Sequence, residues 1–196
     1  VGLADVDVGA GSFYYRIAVL RMKIVTLLEN SPGPDARLES EHGLSFWIEC
    51  DGETILADGG QTDAPWRNAQ RLGLRVADAS LLALSHGHYD HSGGLLTFAQ
   101  LAPRAPIYMQ RSATRDHTSL DPTGRHRDIG IDPALARVPT ARLLDGDAEL
   151  SPHASVFSGV AALRYQPRDA GRFYERAEDG TLVPDVFAHE QYLVVR

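Results

Sequence analysis

Only one cysteine, Cys50, occurs in 196 residues, so no intrachain disulfide can form and nothing calls for an oxidising compartment. Cys50 reads as a buried thiol at a strand end, with no evident neighbour to activate it for redox chemistry. No apolar run is long enough to span a bilayer, and residues 1–21 lack the basic segment and long apolar core of a signal peptide. The expected location is therefore cytoplasmic. Basic charge is also short: 19 Lys and Arg stand against 26 Asp and Glu, for a net charge of −7 and a pI near 5.6. That balance gives no field to hold a phosphate backbone and disfavours nucleic acid as the main partner, while neutral or small anionic substrates stay open. Internal repeats and low-complexity tracts are absent as well.

What remains is an ordinary domain composition, 43% hydrophobic and 23% charged, enough for one real core. The chain opens on Val1, whereas Met22 followed by Lys23 to Leu28 reads as a natural start running straight into a strand. Residues 1–21 are thus expected to be an N-terminal extension, either an upstream or a non-native one, with no assigned function, and 22–196 the domain proper. Strands are predicted over 23–28, 44–49 and 54–57, the last two joined as a hairpin at Asp51 and Gly52. A helix follows, with Thr62 or Asp63 as cap and Pro65 in its first turn; Trp66, Ala69 and Leu72 fall at helical spacing before Gly73 ends it. Residues 80–84 predict a central strand, 93–99 a helix, 106–109 a strand, 154–164 one or two more, and 191–195 a last strand. The stretch 111–137 reads as a long loop or short helices, and 167–181 as a solvated, charged connection.

Directly after the central strand, Ser85 to Gly94 places three imidazoles and a carboxylate, His86, His88, Asp90 and His91, within six positions. On an extended backbone His86 and His88 share a face, while Asp90 and His91 lie beyond them where the chain turns toward a helix. Two adjacent metal positions follow from that arrangement. Imidazole nitrogens with a carboxylate oxygen suit zinc, and also manganese or iron. Gly87, Gly93 and Gly94 allow the sharp turn and close approach that bulkier residues would block.

The pattern His86-x-His88-x-Asp90-His91 resembles the HxHxDH signature of the metallo-β-lactamase superfamily, and Ile55 to Gly60 is similar to its strand-ending Asp-Gly-Gly segment. Thr26 to Ser31, Glu41 to Ser45 and Ser85 to Leu95 resemble its type II β-lactamase-like branch of metal-dependent hydrolases, which includes the archaeal dihydropterin aminobenzene phosphate synthase. This likeness covers residues 22–110 well, then Asp185 to Val194 patchily. It implies an α/β fold, the four-layer αββα sandwich, with its C-terminal part incomplete here. It also implies one or two divalent ions, Zn2+ first and Mn2+ or Fe as alternatives, and a metal-activated water that hydrolyses an ester, phosphoester or related small-molecule bond. By the same likeness His86 and His88 would bind the first metal, and Asp90 and His91 the second. Asp90 would also hold or accept a proton from the attacking water. Asp58 would orient the cluster from behind, the alternative being a plain turn-forming Asp before two glycines.

One departure matters. In that branch a Gly-Cys-Ser-His type segment supplies a later ligand, and no such pattern occurs before Arg196. Four protein ligands alone would hold a dinuclear site weakly. His153 is a candidate to complete the set, and His189 and His42 are candidates for substrate contact or for bracing the ligands; His117 and His126 read as solvent-exposed. Missing closing strands would leave a sheet edge on which a second copy of the chain could pair, so a homodimer or reduced solubility is expected. Set against the hydrolase reading is an impaired member of the same fold that binds metal or a ligand without turnover.

Overall fold

Apolar alternation lays down the first sheet. The computed structural model describes residues 3–7, 13–17, 21–160, 170–177 and 179–196. It opens with an antiparallel pair, β1 (Leu3–Asp7) and β2 (Phe13–Ile17). β3 (Met22–Leu28), β4 (Ser45–Cys50) and β5 (Glu53–Ala57) form an antiparallel meander. Asp51 and Gly52 turn between the last two with φ of 46° and 88°, the positive values a two-residue hairpin needs. The Cys50 thiol is buried, and burial, with Asp51 and Glu53 nearby, pushes its pKa up, so it stays protonated.

α1 (Ala64–Arg71) starts where predicted; the Thr62 hydroxyl accepts the Ala64 N–H at 3.2 Å, and Asp63 makes no side-chain cap. Its Trp66 and Ala69 are buried, whereas Leu72 closes the helix and stays outside the core. β6 (Leu81–Ala83) runs parallel to β5 and is buried throughout, as a central strand covered on both faces must be. One helical turn, α2 (Tyr89–Ser92), leads into α3 (Leu95–Leu101) and then β7 (Ile107–Gln110), parallel to β6.

The stretch 111–137 is not a long loop. It contains a hairpin, β8 (His117–Leu120) and β9 (His126–Asp128). The turn is written in Asp121-Pro122-Thr123-Gly124: the Asp121 carboxylate accepts the N–H groups of Thr123 and Arg125, and Gly124 has φ 82°. Polar residues on both faces of such short strands hide the alternation that would have revealed them.

β10 (Ala141–Leu144) pairs parallel to β7 and completes a six-stranded sheet of order β10-β7-β6-β5-β4-β3. β11 (Ala148–Ser151) and β12 (Ala154–Ser158) follow. The remainder of the expectation over 154–164, residues 161–164, lies outside the described residues, as do 161–169 and 178 generally. The charged connection proposed for 167–181 holds a strand, β13 (Phe173–Arg176), which pairs with β8 and with β14 (Leu182–Pro184). β15 (Gln191–Val195) joins β12, so the second sheet runs β11-β12-β15 and the third β14-β13-β8-β9.

One face of the six-stranded sheet packs Leu56, Leu82 and Ile107 against Trp66 of α1 and Phe98 of α3. Truncating a fully buried phenylalanine such as Phe98 costs about 3–5 kcal/mol. The other face packs Ile48, Ile55 and Leu81 against Ala154, Leu193 and Val195 of the second sheet. Helices, sheet and sheet therefore stack as an α/β sandwich. The far side of the second sheet exposes Phe157, Tyr192 and Val194, so three of the four expected layers are present among the described residues. Among the described residues β3 and β10 are the edges of the six-stranded sheet and β11 and β15 those of the second, and the expected pairing with a second copy concerns such edges. No helix among the described residues is long and apolar enough to cross a membrane.

Candidate metal centre

The ends of β5 and β6 carry the first half of the site. Asp58, just past β5, sits at φ 60°, a left-handed conformation that aspartate tolerates better than most residues, with its amide on the Ala83 carbonyl at 3.1 Å. Its buried carboxylate accepts the Ser85 N–H at 2.7 Å, the Ser85 hydroxyl at 2.8 Å and His91 Nδ1–H at 2.7 Å. Because an ionised carboxylate only accepts, this network assigns the His91 proton to Nδ1 and turns Nε2 toward Asp90 Oδ2, 3.5 Å away. With the Ser85 proton committed to Asp58, His86 Nδ1–H donates to Ser85 Oγ at 2.9 Å, which leaves His86 Nε2 with a lone pair.

His88 precedes α2 with extended φ and ψ of −108° and 150°, and its Nε2 is buried with no hydrogen-bond partner. It is the one histidine nitrogen in that state among the described residues. A buried polar atom without a partner is costly, about 1–3 kcal/mol, unless something absent from a protein-only structure occupies it. Glycine is required twice here. A Cβ on Gly93 would land on the Gln61 carbonyl, and one on Gly87 would lie 2.7 Å from the Ala113 carbonyl oxygen. The loop after Asp58 and the turn at 111–114 can close on the motif only because both side chains are missing. Trp66 Nε1–H, donating to the Gly94 carbonyl at 2.7 Å, ties α1 to the same turn.

The second half comes from the C-terminal third of the chain. His189 Nδ1 accepts the Gly87 N–H at 3.0 Å, and its Nε2–H donates to Asp185 Oδ2 at 3.1 Å. His117, on β8, brings Nδ1 to 2.9 Å from the same oxygen and Nε2 to 3.2 Å from the Ser112 carbonyl. Gln191 donates to the Leu84 and Tyr108 carbonyls at 2.8 and 3.1 Å, and its own amide reaches the Ser85 carbonyl at 2.8 Å. Together these contacts fasten the start of β15 to the strand ends that present the motif. The His88 ring lies 5.2 Å from that of His189 and 5.6 Å from that of Phe173, between centroids.

Protonation states follow from this packing. Burial, aided by the imidazoles of His91, His88, His189 and His117, lowers the His86 pKa to about 2. Burial, with His189 and His117, lowers that of His88 to about 4. Both rings are neutral at pH 7, the form a metal ligand needs. Burial works against charge on His91, but the hydrogen bond and charge of Asp58, with Asp90 adding, outweigh it and raise its pKa from the ordinary value. For Asp185 burial opposes ionisation, yet the hydrogen bonds from His117 and His189 hold its carboxyl well below the usual carboxylate range.

Three groups of side chains bring ligand atoms within 4.8 Å of one another: His86, Asp90 and His91; His88, Asp185 and His189; and His117, Glu175 and Asp185. The first group, with the His88 ring 4.6 Å from that of His86, offers imidazole nitrogens and a carboxylate, a donor set that fits a divalent cation. In the other two, Asp185 is already shared by two imidazoles, and Glu175 receives Arg115 at 3.2 Å. His42 brings Nε2 to 3.4 Å from Asp90 Oδ2 at the exposed rim. His153 lies on the turn between β11 and β12, donates to the Arg196 carbonyl at 3.0 Å and joins none of the three groups. His126 is exposed on β9, but His117, expected in solvent, is fully buried. Its position follows from the hairpin, which turns His117 inward against Asp185. Asp185 itself lies in the stretch that carried the family likeness; nothing local in the sequence marked His117.

The model of the metallo-beta-lactamase superfamily matches residues 40–164. The 7,8-dihydropterin-6-methyl-4-(beta-D-ribofuranosyl)-aminobenzene-5'-phosphate synthase of Methanocaldococcus jannaschii is 37% identical over 93 residues, 44% of this chain and 32% of that protein. An uncharacterized protein of the same organism is 27% identical over 164 residues, 80% of this chain and 60% of that one. The crystal structure of Tm1679, a metal-dependent hydrolase of the beta-lactamase superfamily, is similar with a TM-score of 0.73 and 27% identity, covering 90% of this chain and 62% of that one. The chain thus spans less than two thirds of the length of each of these relatives. The superfamily generally binds divalent metals, and with its model matching more than half of the sequence, across β4 to β12 and the whole histidine motif, this chain belongs to the metallo-β-lactamase superfamily.

Proposed function

We propose that residues 22–196 form a metal-dependent hydrolase domain that cleaves an ester, phosphoester or related bond in a small, preferably anionic molecule. The observation that carries this reading is the buried, unpartnered Nε2 of His88, whose ring lies 4.6 Å from that of His86 and which lines, with Asp90, a cavity of about 340 Å³. A histidine-rich surface turn would leave its nitrogens in water. Here His86 and His88 would hold one ion through their Nε2 atoms, and Asp90 and His91 a second, with zinc the best match to imidazole and carboxylate donors and manganese or iron the alternatives. A divalent cation bound there lowers the pKa of a coordinated water and polarises the bond under attack. The chain's own residues do the rest. Asp58 fixes the tautomer and tilt of His91, Asp90 Oδ2 accepts a proton released in the cavity, and Phe173 and Ile129 narrow the space open to bulk water.

The description of Tm1679 as a metal-dependent hydrolase supports the reaction class, and the name of the M. jannaschii relative, which contains a 5'-phosphate, supports an anionic substrate. The test is metal content together with hydrolysis of bis(p-nitrophenyl) phosphate and of a γ-lactone by zinc- or manganese-loaded protein. One equivalent or more of metal is expected, with turnover that His88→Ala and Asp90→Asn reduce by about a hundredfold or more. Less than one equivalent, with no turnover of either compound after metal addition, would overturn the proposal.

A further inference from the structure

Strand register places three unlike side chains in one row. Phe173 of β13 pairs with Ser119 of β8, which pairs with Arg127 of β9. Residues opposite one another across strands project to the same face, so the row presents an aromatic ring, a hydroxyl and a guanidinium together. All three line the cavity of about 340 Å³ that His88 and Asp90 also line. Two residues further along, Glu175 and His117 share that face and pack into the buried network around Asp185, which fixes the sheet's orientation toward the motif.

Arg172, just before β13, adds a second guanidinium to the lining, with its Nε–H on the Leu120 carbonyl at 3.0 Å. The Arg127 residue is exposed, and its side chain has no hydrogen bond or ion pair among the described residues. The carboxylates nearby do not neutralise it: Glu175 receives Arg115, and Asp128 belongs to the neighbouring row, which faces the other way. Among the described residues Asp90 is the single acidic residue on the cavity wall, and it lies on the motif side.

We infer that this wall is a subsite for a substrate oxyanion, a carboxylate or a phosphate, held by the planar fork of Arg127 with Arg172 beside it, while an apolar or flat part of the molecule rests on Phe173. The inference rests on the proposal that bond cleavage takes place at His88 and Asp90, since only then is the subsite's ligand a substrate. Arg127 is a specificity-determining residue on this account, and its exposed, unpartnered side chain makes Arg127→Gln neutral for folding.

The test is calorimetric titration of benzoate, phenylphosphonate and benzamide into the chain with and without zinc. Benzamide copies benzoate without its charge, and phenylphosphonate separates phosphate-type from carboxylate-type anions. At least one of the two anions is expected to bind about tenfold or more tighter than benzamide, with zinc or without it. Arg127→Gln should abolish that preference, Arg127→Lys should keep part of it, and Phe173→Ala should weaken all three compounds alike. The inference is overturned if benzamide matches both anions, if Arg127→Gln leaves the preference intact, if the preference exists only with zinc bound, or if none of the three binds. No turnover enters these measurements, so an anion preference on a chain that fails to hydrolyse anything would sink the hydrolase reading and leave the subsite standing.

Discussion

The histidine motif is braced from two sides, and the two braces do different work. On one, Asp58 reaches back to Ser85 and His91 across 27 and 33 residues, takes up Nδ1 of His91 and so leaves Nε2 directed at Asp90. On the other, His189 reaches Gly87 across 102 residues, and Asp185 gathers His117 and His189 into a network that uses up their ring nitrogens. The first brace prepares nitrogen atoms for a ligand. The second spends its nitrogens internally and holds the strand ends in place. On the proposed reading, similar residue types, an aspartate backing histidines, would serve chemistry on one side and architecture on the other.

Substitutions can break this contrast. The largest expected effect is from Asp58→Ala, which frees the His91 ring and strands the part-buried Ser85 amide: zinc affinity should fall about 10–100-fold and stability by about 1–3 kcal/mol, read by zinc titration and chemical denaturation. Asp185→Ala should cost a similar about 1–3 kcal/mol of stability but leave zinc affinity nearly unchanged. Should Asp185→Ala lower zinc affinity as far as Asp58→Ala does, the division of labour is wrong. Gly93→Ala should destabilise by about 1–3 kcal/mol through overpacking against the Gln61 carbonyl, seen as a lower thermal midpoint.

The smallest effect concerns pH. The raised pKa of His91 means that in the metal-free chain its ring holds a second proton below that value, and a metal must displace it. Affinity at the Asp90 and His91 position should therefore fall by up to about tenfold per unit as pH drops below the His91 pKa. His86 and His88, with pKa values of about 2 and 4, stay neutral through that window and should lose no affinity in it. Zinc titration at pH 8, 7 and 6 on the wild type and on His91→Ala would show whether the dependence belongs to His91.

Legibility follows the same divide. The motif, the Asp58 segment, the hairpin at Asp51 and Gly52, and the central strand all announce themselves because each is a local pattern: a spacing, a turn pair, an apolar run. His117 and Phe173 announce nothing. Each enters the site through strand pairing between segments more than fifty residues apart, β8 with β13, in strands of only four residues whose faces are both partly polar. Asp121-Pro122-Thr123-Gly124 was the one local signal for that hairpin, and it marks the turn without saying which face goes inward. His153 shows the converse: its sequence distance suits a ligand, but the turn between β11 and β12 carries it to the Arg196 carbonyl.

The central claim is that His86, His88, Asp90 and His91 are a metal site prepared by Asp58. Its most direct test is anomalous diffraction at the zinc edge from crystals of the zinc-soaked chain. The account predicts a peak in ligating contact with the Nε2 atoms of His86 and His88, and a second beside Asp90 and His91. An absence of anomalous signal at these four residues, with His88 Nε2 still unpartnered or zinc bound elsewhere on the surface, would contradict it.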